Sequence, residues 1–203
     1  MLKIYGRASS INVRKVLWCC DELAIPYARE DWGTGFRSTR DADFLKLNPN
    51  GLVPVIDDDG FVLWQSNSII RYLAARASDF YPTEPRQRAI IDQWIDWQAT
   101  ELNDAWRYAF MNLVRRSPEH QDAKLVERSI AQWSPMMGLL EKQLHQAGAF
   151  VTGATFTLAD IPIGLSVHRW YSTPFDRPEL RAVDAYYQRL KSRPAFSRLT
   201  VDP

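Results

Sequence analysis

The stretch Asn48–Leu73, NPNGLVPVIDDDGFVLWQSNSIIRYL, constrains the fold more than any other. Asn48-Pro49-Asn50-Gly51 is turn-forming, and Val53-Pro54-Val55-Ile56 is a short apolar strand carrying a proline that cannot donate a ladder hydrogen bond. Asp57-Asp58-Asp59-Gly60 signals a hairpin and Phe61-Val62-Leu63-Trp64 a second strand. Gln65-Ser66-Asn67 then sits where a helix carrying Ile69, Ile70 and Leu73 must begin. A cis bond at Val53-Pro54 would turn the N–H and C=O of the preceding residue out of the sheet, free to bond the main chain of a ligand. Ser66, at a helix start, offers a hydroxyl and an N–H at the positive end of a helix dipole, which suits a carboxylate. The plainer alternative has Ser66 capping its own helix and Pro54 ending a strand.

Upstream, Leu2–Tyr5 alternates like a half-buried strand, Arg7–Asn12 is a polar loop, and Val13, Val16, Leu17, Cys20, Leu23 and Ala24 recur at helical spacing. Ile25-Pro26-Tyr27 stops that helix, and residues 27–31 read as a second strand parallel to the first. Trp32–Arg40 is a loop and Asp43–Leu47 one or two helical turns, so the predicted order is β-α-β-α-β-β-α. This is a thioredoxin-like layout, in which the loop after the first strand opens onto a helix N-terminus. The loop holds Ser9, Ser10 and Asn12 but no cysteine. Donors without a nucleophile imply that the reactive thiolate belongs to the substrate.

The charge balance excludes several function classes. Lys and Arg number 25 against 24 Asp and Glu, leaving no polybasic surface for nucleic acid or anionic lipid. Apolar runs fall far short of the ~20 residues of a membrane span, and the N-terminus enters a strand pattern directly, so a soluble, cytoplasmic protein is expected. Cys19 and Cys20 are adjacent within a helix, a spacing for core thiols rather than a redox pair. His120, His145 and His168 are isolated, and no metal site is expected.

Beyond the proline-bearing linker Asp79–Pro85, the chain reads as helices throughout. A long helix runs from Ala89 to about Arg116, with a break expected near Thr100-Glu101, and a second spans 122–146 with Pro135 inside it. Thr157-Leu158-Ala159-Asp160 is a variant capping box opening the helix Ile161–Tyr171, and shorter helices follow at Asp184–Lys191 and from Arg193. The expected domains are 1–78, a linker 79–87, and 88–203.

Four segments together resemble a bacterial cytosolic glutathione S-transferase of the theta-like, serine-dependent group. They are Ser9–Val16 (SSINVRKV), Asn48–Val55 (NPNGLVPV), Gln65-Ser66 and Thr157–Asp160 (TLAD). The resemblance implies an α/β thioredoxin-like N-terminal domain plus an all-α C-terminal domain, with glutathione as co-substrate and a homodimeric assembly. It implies that Val53, before a cis Pro54 and next to Leu52, pairs with the cysteinyl main chain of glutathione, while Gln65 and Ser66 hold the γ-glutamyl carboxylate. It also implies that Ser10, with Ser9 second and Asn12 third, hydrogen-bonds the sulfur. Leu52 stands where many members carry a cation, so the glycyl carboxylate falls to Arg37, Arg40 or Lys46. Trp106, Tyr108, Phe110 and Met111, on the helix that in this family faces the sulfur, and Trp170 are the candidates for an apolar pocket taking hydrophobic electrophiles. The implied reaction is conjugation of glutathione thiolate to such electrophiles. A glutathione-dependent disulfide reductase or peroxidase, or a non-catalytic binding module, are the alternatives.

Overall fold

The computed structural model describes residues 1–76 and 80–200, and its chain divides into two compact units between Thr83 and Glu84. The sequence boundary expected at 78/79 lies outside the described residues. The first unit follows the order β1 (Leu2–Tyr5), α1 (Ile11–Glu22), β2 (Tyr27–Glu30), α2 (Ala42–Leu47), β3 (Val55–Asp58), β4 (Phe61–Trp64) and α3 (Ser66–Ala75). Its sheet has the order β2-β1-β3-β4, with β1 parallel to β2 and the other two pairings antiparallel. The proline-bearing strand begins only at Val55, because Val53-Pro54 is a cis peptide standing just outside the ladder.

Strand alternation sorts the core of this unit. Ile4 and Ile56 are cross-strand partners and both fully buried. Their neighbours Tyr5 and Val55 point the other way and pack with Trp32 and Phe44. Asp59 and Gly60 join β3 to β4 with φ of 51° and 94°, the pair of positive angles that a two-residue hairpin matching the sheet twist requires. Asp57 Oδ1 accepts the Gly60 N–H at 2.7 Å and closes the turn.

The second unit contains α4 (Pro85–Trp97), a π-helical turn (Gln98–Leu102), α5 (Asn103–Leu113), α6 (Ala123–Ala147), α7 (Asp160–Ser172), α8 (Arg181–Lys191) and α9 (Pro194–Leu199). The π turn falls on the break expected at Thr100-Glu101. Two starts differ from the sequence reading. Helix α4 begins at Pro85 rather than Ala89, because proline suits the first helical position and the Glu84 carboxylate accepts the N–H groups of Arg86 and Gln87. Helix α8 begins at Arg181 rather than Asp184, because Glu141 of α6 accepts the N–H groups of Ala182 and Val183.

Every residue of α7 from Asp160 to Trp170 is buried, so it is the central helix of this unit. Of the expected box only the carboxylate arm is in place, because the helix starts at Asp160 with Ala159, not Thr157, as its N-cap and no side-chain cap. Asp160 Oδ2 accepts the Thr157 N–H at 2.7 Å, and Oδ1 accepts the Val151 N–H and the Tyr186 hydroxyl at 3.0 Å each. Burial outweighs these donors and pushes the Asp160 carboxyl from its ordinary 3.8 up to about 6. Trp170 lies in the core of the unit, edge-on to Trp133 and Phe175 at 5.0 Å each. Among the described residues no helix is long and apolar enough to cross a membrane.

Because the folded value is the higher one, the stability that protonated Asp160 contributes is fully present below the ordinary carboxylate pKa and is lost as pH rises through about 6. A shift of this size corresponds to about 3 kcal/mol. Urea melts across that window are expected to show wild-type stability declining, relative to Asp160→Asn, as pH rises. Asp160→Ala, which orphans several buried donors, is expected to cost roughly 2–4 kcal/mol at the acid end, where Asp160 is protonated, and correspondingly less at the alkaline end.

Candidate functional site

A cleft within the first unit is lined by Asn12, Asn48, Asn50, Leu52, Val53, Pro54, Gln65 and Ser66. Three local devices build it. The cis peptide between Val53 and Pro54 delays the ladder by two residues, so among the described residues no main-chain hydrogen bond engages Val53. Gln65 holds φ of 73°, a left-handed conformation that a residue with a Cβ adopts at a cost of roughly 1–3 kcal/mol. That backbone turns the chain abruptly from β4 into α3, whose first N–H groups have no intrahelical partner, at residues that line the cleft. Gly6 ends β1 at φ 148°, where a Cβ would lie 2.6 Å from Val13 Cγ2 and 3.0 Å from Val53 Cβ. Only glycine lets the end of β1 pass between α1 and the segment before Pro54.

The N-termini of α1 and α3 meet at this cleft. The Ser66 hydroxyl donates to Asn12 Oδ1 at 3.3 Å, and the buried residue Lys15 donates its Nζ to Asn67 Oδ1 at 3.1 Å. Two helix starts that meet favour an anion. Ser10 is the N-cap of α1, half-buried and extended, and its side chain makes no capping hydrogen bond. Its loop is fixed by its neighbours: Arg7 N donates to Trp32 O, Ser10 N to Arg7 O, and the buried Arg14 Nε to Ala8 O at 2.9 Å.

Of the residues expected from sequence, Asn12, Leu52, Val53, Pro54, Gln65 and Ser66 come together here, while Ser9, Ser10 and Arg37 are not among the lining residues. Arg37 is engaged elsewhere, with Glu30 Oε1 at 2.8 Å and stacked 3.9 Å over the Trp32 ring. Lys46 pairs with Asp43. Arg40 differs: its guanidinium lies so close to Gly51 that a Cβ there would be 3.0 Å from Nη1. In the second unit Trp106, Phe110 and Trp170 are buried, whereas Tyr108 and Met111 keep partly exposed surface. Sequence reading missed Asn48 and Asn50 as cleft residues; the turn-forming Asn-Pro-Asn-Gly run was their only signal.

Cys19 and Cys20 are both buried in α1. Burial foremost pushes the Cys19 thiol well up, and burial with the nearby Asp21 pushes Cys20 to about 12. Both stay protonated near neutral pH, so neither supplies a thiolate.

Residues 9–76 match the family model described as the glutathione S-transferase N-terminal domain. The chain is 36% identical to glutathione S-transferase GstB of Escherichia coli strain K12, covering all of this chain and 99% of that one. It is 27% identical to the disulfide-bond oxidoreductase YfcG of the same strain, over 96% of this chain and 92% of the relative. A theta class glutathione S-transferase from Xanthomonas axonopodis pv. citri, solved with glutathione bound, superposes with a TM-score of 0.93 at 36% identity, covering 100% of this chain and 98% of that one.

Gly6→Ala tests the close approach that shapes the cleft. The added methyl group is expected to destabilise the protein by roughly 1–3 kcal/mol, read as a lowered urea midpoint with an unchanged slope.

Proposed function

This chain belongs to the glutathione S-transferase family, and on that footing we propose that it conjugates the thiolate of glutathione to hydrophobic electrophiles. The observation that carries the reading is the unpaired main chain of Val53, held beside the N-terminus of α3. In this reading Val53 pairs with the cysteinyl main chain of the tripeptide as one more strand would, and Pro54 keeps the sheet from taking those groups. Gln65 and Ser66 receive the γ-glutamyl carboxylate at the positive end of α3.

The sulfur then meets the mouth of α1. Ser10 donates its hydroxyl, which helix capping has not used, and so favours thiolate over thiol. Asn12, bonded to Ser66, stands between the sulfur and carboxylate ends of the ligand. Arg40 takes the glycyl carboxylate. Among the described residues no carboxylate pairs with it, whereas Arg37 and Lys46 each already hold one. The chemistry is attack by the thiolate sulfur on an electrophilic carbon, with the protein contributing thiolate stabilisation and proximity.

We assign the apolar wall for the electrophile to α5, where Tyr108 and Met111 offer surface and Trp106 and Phe110 back them from the core. A homodimer suits the exposed apolar side chains of the edge strand β4, since Phe61, Val62 and Trp64 are 49%, 37% and 36% exposed. Detoxification in the cytoplasm is the setting this chemistry fits. The likeness to a disulfide-bond oxidoreductase supports a second reading, reduction of disulfides by glutathione on the same site.

Assays of an aryl halide, a hydroperoxide and a disulfide side by side decide between the two. Turnover of the aryl halide is expected, and turnover of the disulfide alone overturns the proposal. Ser10→Ala removes a hydrogen bond to a charged sulfur worth about 1.5–3 kcal/mol, so kcat/KM is expected to fall roughly 10- to 150-fold. The thiolate absorbance of bound glutathione is expected to titrate at higher pH in that variant. Arg40→Ala is expected to raise KM for glutathione with little change in kcat.

A further inference from the structure

We infer that Asn48 is a positioning residue for glutathione, fixing the direction of the Val53 N–H that receives the cysteinyl main chain; the inference rests on the reading above. Asn48 is 2 % exposed and every arm of it is engaged. Its N–H donates to Phe44 O at 2.9 Å, tying it to the end of α2, and its C=O accepts the Gly51 N–H at 2.9 Å. Side-chain Oδ1 accepts both the N–H and the side-chain amide of Asn50 at 3.0 Å. Nδ2 donates to the Leu52 carbonyl at 2.7 Å, the shortest of these bonds.

That last bond matters because of peptide planarity. The Leu52 carbonyl and the Val53 N–H belong to one peptide unit, and in a trans unit they point in opposite directions. The only cis bond in this region is the next one, between Val53 and Pro54. Holding the Leu52 oxygen inward on Asn48 therefore aims the Val53 N–H outward, toward the cleft that both residues line. Pro54 leaves the acceptor and donor of Val53 without a sheet partner, and Asn48 sets the plane from which the donor points. Without that anchor the 52–53 unit is free to rotate, and its strand-like pairing with a ligand must pay for ordering on each binding event.

Asn48→Asp is the informative change. It keeps the size of the side chain and the acceptor for Asn50, replaces the donor to Leu52 with an oxygen that repels the carbonyl, and adds a charge. Asn48→Ala, which removes the donor without adding charge, is expected to weaken binding as well, and unchanged binding by Asn48→Ala overturns the inference. Calorimetry with reduced glutathione is expected to show binding weakened about tenfold, the worth of one hydrogen bond. KM for glutathione is expected to rise by a similar factor, while kcat at saturating glutathione stays within about twofold and KM for an aryl halide is unchanged. A purely structural role would instead lower the melting temperature and leave KM for glutathione where it was, and that result overturns the inference. Should the variants fail to fold, the wild-type side-chain amide of Asn48 reports by NMR: slow exchange of its Nδ2 proton is expected both without and with glutathione, and rapid exchange in the ligand-free protein overturns the inference. If the wild-type protein binds no glutathione, the proposed function itself is wrong; if it binds and Asn48→Asp binds equally well, only the role of Asn48 falls.

Discussion

The main chain of Val53, left by the cis bond to Pro54 without a hydrogen-bond partner among the described residues, is the constraint on which the site depends. A sheet normally consumes every N–H and C=O it can reach, since unpaired buried groups are costly. Here the ladder between β3 and β1 starts at Val55, two residues late, and one residue's worth of strand edge is left facing a cleft. Gly6 permits the approach by carrying no side chain, and the Asn-Pro-Asn-Gly turn sets the direction of the chain before it. Gln65 completes the arrangement by bringing the start of α3 to the same place through an otherwise unfavourable backbone angle.

The electrostatics follow from the same geometry. Two helix N-termini converge, cross-linked by Ser66 to Asn12 and by Lys15 to Asn67, and each contributes partial positive charge. In the proposed reading, a ligand with a carboxylate at each end, a thiolate near its middle and a peptide backbone meets the start of α3 and Arg40, the Ser10 hydroxyl at the mouth of α1, and the strand edge at Val53. The protein's own thiols are removed from the chemistry by burial, with Cys20 raised to about 12. In the proposed reading the thiolate therefore arrives with the ligand.

Much of this was legible in the sequence, for identifiable reasons. The hairpin was readable because Asp59-Gly60 has one local solution, and the break at Thr100-Glu101 because helical periodicity slips there. The starts of α4 and α8 were not, since Pro85 looks like a linker residue until Glu84 is seen capping it, and Glu141 reaches α8 from a helix some forty residues away in the chain. Choosing among Arg37, Arg40 and Lys46 was equally beyond sequence, because the choice turns on which cations already have carboxylate partners. Asn48 read only as a turn former, since nothing local reveals that its amide reaches the Leu52 carbonyl.

A crystal structure with reduced glutathione bound tests the central claim most directly. The account predicts that the cysteinyl N–H and C=O lie within hydrogen-bonding distance of the Val53 C=O and N–H, with the γ-glutamyl carboxylate at the start of α3. Glutathione bound away from Val53, or lying across the cleft with no main-chain pairing to it, would contradict the account.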